Sequence, residues 1–146
     1  MNNLDTLYRQ VIMDHYKNPR NRGELNDTSF TIDMNNPTCG DKIRLTIKVE
    51  KGIVVDAKFE GEGCSISMSS ASMMTQAIKG KAIEDAIKYS KAFSDMMQGK
   101  DIDEYALDLG DIEALSGVCK FPARVNCAML AWRAMDKGLK EDKAGV

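Results

Sequence analysis

Four cysteines stand far apart in this chain, Cys39, Cys64, Cys119 and Cys127, and the first is followed two residues later by a carboxylate in Cys39-Gly40-Asp41. Side chains two apart on an extended backbone point to the same side, so that thiol and that carboxylate can converge on one ion. Cys64 follows Gly61-Glu62-Gly63, where a strand pattern gives way to a helical one. A helix N-terminus stabilises a thiolate and lowers its pKa. Cys127 falls about one turn inside the last predicted helix. Each donor thus stands near the end of a separate element, and such ends can cluster at one rim of a molecule. Three sulfurs and one oxygen suit tetrahedral zinc. The cysteine count alone equally allows small buried apolar residues. The spacing is unlike the paired knuckles of a zinc finger, so these residues by themselves leave both readings open.

Other residues with chemical potential have simpler readings. His15 is the single histidine. It lies at the end of the first predicted helix, which favours a structural hydrogen bond or a helix-end charge over a place in the ligand set. Cys119, eight residues before Cys127, reads as an incidental thiol rather than a sulfur relay. The methionines at 68, 73, 74, 96, 97, 129 and 135 lie in predicted helices and read as core filler.

The elements that must position the donors follow from periodicity. Leu4, Leu7, Val11 and Ile12 are spaced for one face of an amphipathic helix. Asn18-Pro19 ends it, because the residue before proline avoids helical backbone. Phe30 to Met34, Ile43 to Val49 and Ile53 to Phe59 alternate apolar with polar residues, and Lys51-Gly52 is a turn signal. They predict an antiparallel hairpin with a flanking strand. Ile66, Met73, Met74, Ala77 and Ile78 predict a helix that Ser65 or Ser67 caps and Gly80 terminates. Ile83 to Met97 predicts another. Asp101 to Glu113 is acidic and reads as a solvated face, with a docking surface as its alternative. Pro122 opens a last helix, with Val125, Met129, Trp132 and Met135 or Leu139 facing inward. Lys140 onward is polar and is expected to fray.

A sheet first and helices after it imply an α+β sandwich in a single domain over residues 1–146. Hydrophobic residues make up 43% and charged residues 29%, a globular balance. The net charge is −2, from 20 basic and 22 acidic residues, and gives no basic excess for a nucleic-acid partner. No apolar run approaches the ~20 residues of a membrane span. The N-terminal residues lack the layout of a signal peptide, so the cytoplasm is the expected compartment, and a disulfide framework is not expected there.

Four segments carry a resemblance. They are Asp14-His15-Tyr16-Lys17-Asn18-Pro19-Arg20-Asn21, Pro37-Thr38-Cys39-Gly40-Asp41, Gly61-Glu62-Gly63-Cys64-Ser65-Ile66-Ser67 and Phe121-Pro122-Ala123-Arg124-Val125-Asn126-Cys127. In this order, over nearly the whole chain, they resemble the IscU/NifU-like family of iron–sulfur assembly proteins. The resemblance implies the SufE/NifU-type sandwich, with a small three-stranded antiparallel sheet packed against helices. It places Cys39, Asp41, Cys64 and Cys127 on the family's metal ligands, and Arg124 near its basic position shortly before the last cysteine.

Three departures point to the zinc-binding SufU branch. Asn126 stands where IscU proteins have histidine. Lys120-Phe121-Pro122-Ala123-Arg124 replaces their Leu-Pro-Pro-Val-Lys motif. The interval from Cys64 to Cys127 is longer, as if by an insertion at roughly 98–118. Within that branch, lysine is the residue expected at Asn126 and serine at Cys119. The implied function is that of a zinc-dependent acceptor of persulfide sulfur. Its implied donor is a PLP-dependent cysteine desulfurase of the SufS type, and its recipient a downstream SUF scaffold. Cys39 would be the acceptor and Arg124 would offset negative charge. Three thiolates and a carboxylate around Zn²⁺ leave two negative charges in excess. A transient [2Fe–2S] cluster on the same ligands is the first alternative, and a structural zinc domain without transfer is the second.

Overall fold

The structure is a computed structural model that describes residues 3–37 and 40–144. Helix α1 spans Asn3–Lys17 and stops just before Asn18-Pro19. Its buried stripe runs through Tyr8, Val11, Ile12 and His15, with the histidine fully enclosed. Leu7 was expected on that stripe, but it is 53% exposed. It lies one position off the 8–11–12–15 spacing that faces the core.

Strands β1 (Phe30–Asn36), β2 (Asp41–Glu50) and β3 (Ile53–Glu62) form an antiparallel sheet in the order β1-β2-β3. Its inner face carries Ile32, Ile43, Leu45, Ile47, Ala57 and Phe59, all buried. The outer face is charged. Arg44 pairs across the register with Asp33 at 2.8 Å and also reaches Glu24 at 3.2 Å. The register matters for the site. Asn36 pairs with Asp41 and Lys42 pairs with Glu62, so the start of β2 and the end of β3 lie at the same rim.

Helix α2 (Ser65–Ile78) leaves that rim and runs through the middle of the molecule, buried continuously from Ser67 to Thr75. Its buried hydroxyls all have partners. Ser70 Oγ donates to the Ala128 carbonyl at 2.7 Å and accepts from Trp132 Nε1 at 3.1 Å. Helix α3 (Ile83–Met97) packs Phe93 on Trp132, with ring centroids 4.7 Å apart. The seven helical methionines are all buried, as core filler should be.

The acidic stretch holds one short turn at Asp103–Tyr105 and then 3₁₀ turns over Gly110–Lys120. Ile112, Leu115 and Val118 anchor that segment to the core, while most of its carboxylates face water. Helix α4 (Pro122–Ala144) begins at Pro122 and buries Met129, Trp132, Met135 and Leu139. The tail expected to fray is helical through Ala144, and residues 145 and 146 lie outside the described residues.

Candidate metal centre

At the rim where β2 starts and β3 ends, three donors meet. One ligand atom each from Asp41, Cys64 and Cys127 lies within 4.8 Å of the other two. Asp41 and Cys127 are fully buried, and Cys64 is half-buried. Asp41 Oδ1 accepts the Cys64 backbone N–H at 3.0 Å, and its Oδ2 lies 4.0 Å from Cys64 Sγ. Cys127 Sγ sits 3.8 Å from the Ala123 carbonyl, one turn back along α4.

Local sequence explains how they meet. Gly61 has φ of +149°, and a Cβ there would lie 2.1 Å from the Lys42 carbonyl. At Gly63 a Cβ would stand 2.4 Å from Asp41 Oδ1 and 2.6 Å from Ser67 Oγ. Only glycine lets β3 end this close to the carboxylate. The next residue, Cys64, is itself the N-cap of α2, its Sγ accepting the Ser67 N–H at 3.4 Å. This corrects the expectation that Ser65 or Ser67 caps the helix. The thiol takes the capping position that a serine oxygen commonly fills, and Ser67 contributes as donor instead.

The electrostatics follow from those contacts. Burial pushes the Cys64 thiol up. The Ser67 amide and hydroxyl pull it down, the negative charge of Asp41 opposes them, and a contact from Cys127 adds to the pull. The net direction is below the ordinary thiol value.

The donor set fits a dication. Tetrahedral zinc with Zn–S of about 2.3 Å and Zn–O of about 2.0–2.2 Å needs donors roughly 3.5–3.8 Å apart. The three atoms are within a small adjustment of that. A fully buried carboxylate flanked by two thiols is also an arrangement that a cation compensates. Asp41, Cys64 and Cys127 are the residues that would hold it. Cys39, the fourth expected ligand, lies outside the described residues, in the connection from β1 to β2.

The remaining residues fall elsewhere. Arg124 is exposed on the wall of a groove of about 570 Å³ that Ser65, Ile66, Val118 and Phe121 also line. Phe121 is 62% exposed there. Cys119 is half-buried in the 3₁₀ segment and is not part of the cluster. His15 is no part of it either. Ser67, expected only as a cap, donates its N–H to the Cys64 thiol, and a serine three residues after a cysteine at a helix start is the signal for it. Among the described residues no helix is long and apolar enough to cross a membrane.

A three-stranded sheet layered on helices, with thiols and a carboxylate gathered at one rim, defines a class of small α+β proteins built to present soft donors. The chain belongs to the family described as the NifU-like N terminal domain, whose model matches residues 7–128. It is 71% identical over 143 residues to the zinc-dependent sulfurtransferase SufU of Bacillus subtilis, covering 98% of this chain and 96% of that protein. It is 43% identical to the iron–sulfur cluster assembly scaffold protein IscU of Streptococcus pyogenes, covering 96% and 87%. Among solved structures, a SUF-system scaffold protein from Fervidobacterium islandicum superposes with a TM-score of 0.84 at 34% identity, covering 92% of this chain and 97% of that one. A NifU-like N-terminal protein from Brucella abortus shares the fold, with a TM-score of 0.86 at 18% identity over 98% and 99% of the two chains.

Proposed function

We propose that this chain is a zinc-dependent sulfurtransferase of iron–sulfur cluster assembly. It takes persulfide sulfur from a PLP-dependent cysteine desulfurase and passes it to a downstream scaffold. The observation that carries the reading is the meeting of Asp41, Cys64 and Cys127 within 4.8 Å. The 71% identity to a zinc-dependent sulfurtransferase supports it.

Zinc, when bound, would keep the coordinating sulfurs as thiolates at neutral pH. The chain's own residues supply the rest. Cys64 holds its sulfur at the start of α2, where the Ser67 amide favours the ionised form. Asp41 fixes the start of β2 against Cys64. Cys39 is the acceptor, in the connection that leads into β2. Its thiolate attacks the outer sulfur of the donor's cysteine persulfide. The donor's S–S bond breaks, its cysteine leaves as a thiolate, and the new S–S bond leaves the persulfide on Cys39 with no net oxidation. Arg124 offsets the negative charge of the site from the groove. The stretch at roughly 98–118 is an insertion in the family frame, within a single domain.

The test is metal analysis of the purified protein together with desulfurase turnover in its presence and absence. Stoichiometric zinc and stimulated turnover support the reading, and Cys39→Ser should keep the metal-free fold yet lose sulfur acceptance. Full transfer by that variant rejects Cys39. An iron-rich, coloured protein that hands clusters to apoproteins supports a scaffold with a [2Fe–2S] cluster instead, a reading favoured by the 43% identity to a scaffold relative.

A further inference from the structure

A second polar cluster lies on α2, away from the thiols. His15 is fully buried at the end of α1, and both ring nitrogens are engaged at 2.7 Å. Nδ1 faces Ser72 Oγ of α2, and Nε2 faces Asp111 Oδ2 of the 3₁₀ segment. The same Ser72 Oγ accepts the Arg20 backbone N–H at 2.8 Å. Ser72 has no exposed surface, so this Ser-His-Asp row has no room for a substrate and is not a hydrolase site.

The acceptor-only carboxylate orients the ring. Arg20 N–H already donates to Ser72 Oγ, and the Ser72 proton is then free to go to Nδ1. The proton on the ring stands on Nε2 and points at the Asp111 carboxylate, which can only accept. The opposite neutral tautomer would set Nε2 lone pair against carboxylate. The charged groups facing the ring are Asp111, and Asp14 and Arg20 at the helix end, where these two pair with each other at 2.7 Å.

The segment held by Asp111 is the one that runs into Phe121, Pro122 and the start of α4. Ala114, Gly117, Val118 and Lys120 of this segment form one wall of the groove beside Ser65 and Arg124. We propose that His15 is a positioning residue. Through Nε2–H on Asp111 and Nδ1 on Ser72 it pins the Gly110–Lys120 segment to α1 and α2, and so fixes the groove wall next to the thiol centre. The consequence for sulfur delivery rests on the function proposed above; the pinning itself does not.

Because His15 is the single histidine, its imidazole signals in a ¹H–¹⁵N spectrum of the full chain need no assignment. A ring proton on Nε2 is expected. A ring that carries its proton on Nδ1 alone overturns the proposal. Two variants separate the two ties. In His15→Gln the amide nitrogen can occupy the Nε2 position and keep the Asp111 bond. In His15→Asn the amide can reach only the Ser72 side. Amide hydrogen exchange over 110–120 should stay within about twofold of the parent in His15→Gln and rise roughly tenfold or more in His15→Asn, the size expected for losing a hydrogen bond to a charged group. Equal exchange in the two variants overturns the pinning. With a desulfurase, His15→Asn should raise the concentration of this chain needed for half-maximal stimulation several-fold, with the maximal rate kept and His15→Gln near the parent. An unchanged half-maximal concentration in a variant whose segment does loosen overturns the link to the groove. If the parent chain shows no stimulation at all, the functional reading fails, while the spectrum and the exchange still decide the pinning.

Discussion

Helix α2 carries two polar clusters that obey opposite rules. At its first turn, Asp41, Cys64 and Cys127 crowd together with weak, long contacts: a thiol at 4.0 Å from a carboxylate and another at 3.8 Å from a carbonyl. Two turns further on, Ser72, His15 and Asp111 form a row of 2.7 Å bonds in which each donor has its acceptor. Both are buried and both join elements remote in sequence. One is held ready for a ligand the chain does not itself contain, the other is complete. Short bonds between well-matched donors and acceptors hold a geometry firmly, and long contacts to thiols hold it weakly. The length and strength of the contacts, rather than burial, separate the candidate metal cluster from the architectural one.

The strongest way to break that contrast is to remove a donor from each and read both metal and stability. Asp41→Asn keeps an oxygen for the Cys64 N–H while deleting the buried charge. Zinc affinity should fall by more than the ~10–100-fold that loss of a hydrogen-bond partner behind a ligand costs. The metal-free protein should lose no stability, because a neutral amide replaces a buried carboxylate. Competition with a chromophoric chelator and thermal melting of the apoprotein measure the two. A parallel fall in apoprotein stability would make this cluster architectural too.

His15→Ala should show the mirror image. It empties a buried ring volume and strands the buried Ser72 hydroxyl, while the exposed Asp111 carboxylate turns to water, a loss of about 2–4 kcal/mol. At about 2–4 °C per kcal/mol for a chain of this size, the melting temperature should drop by roughly 5–15 °C. Zinc stoichiometry should stay at the parent value. A variant that melts like the parent contradicts the architectural reading of the row.

Cys64 sharpens the comparison because it has a foot in each role. As N-cap of α2 it is structural, and as a donor it is not. Serine caps helices well. Cys64→Ser should therefore leave apoprotein stability within about 0.5 kcal/mol, while Cys64→Ala loses about 1 kcal/mol. Both should lose tight zinc. Equal apoprotein stability of the two variants would remove the capping role.

These contrasts bear on what was legible beforehand. The strands, the β2–β3 hairpin and the α-helices followed from periodicity and turn residues, because those signals are local. Asp41, Cys64 and Cys127 could be singled out by residue type and by their places near element ends, and the sheet register then brought them together. Cys39 lies outside the described residues. The His15 row was not legible as a row. Its bonds join residues 57 and 96 positions apart, and nothing local marks Ser72 or Asp111 as partners. Leu7 misled because one apolar residue at the margin of a stripe cannot be told from a member without its neighbours. The cap was misjudged because cysteine is a rare N-cap, and serines stood on either side.

A third buried polar contact tests the same rule at the smallest amplitude. Ser90 Oγ donates to Asp136 Oδ2 at 2.8 Å between α3 and α4. Burial pushes the Asp136 carboxyl above its ordinary value, and the Ser90 hydroxyl and the Lys140 and Lys91 charges only partly offset it. Here the folded state binds the proton more tightly than the unfolded chain. Its contribution to stability is therefore fully present below the unfolded carboxylate pKa and is lost as pH rises through the higher folded value. At neutral pH the ionised group is a burden that one hydrogen bond does not wholly lift. Asp136→Asn keeps an oxygen to accept from Ser90 and removes the charge. It should raise the neutral-pH stability by about 0.5 kcal/mol or less, and flatten the dependence of stability on pH in the acid range. Denaturant melts of the two proteins at neutral pH and at pH near the ordinary carboxylate value measure both effects. If the substitution destabilises equally at the two pH values, the Asp136 charge is compensated after all, and pairing in the helical layer is as complete there as it is around His15.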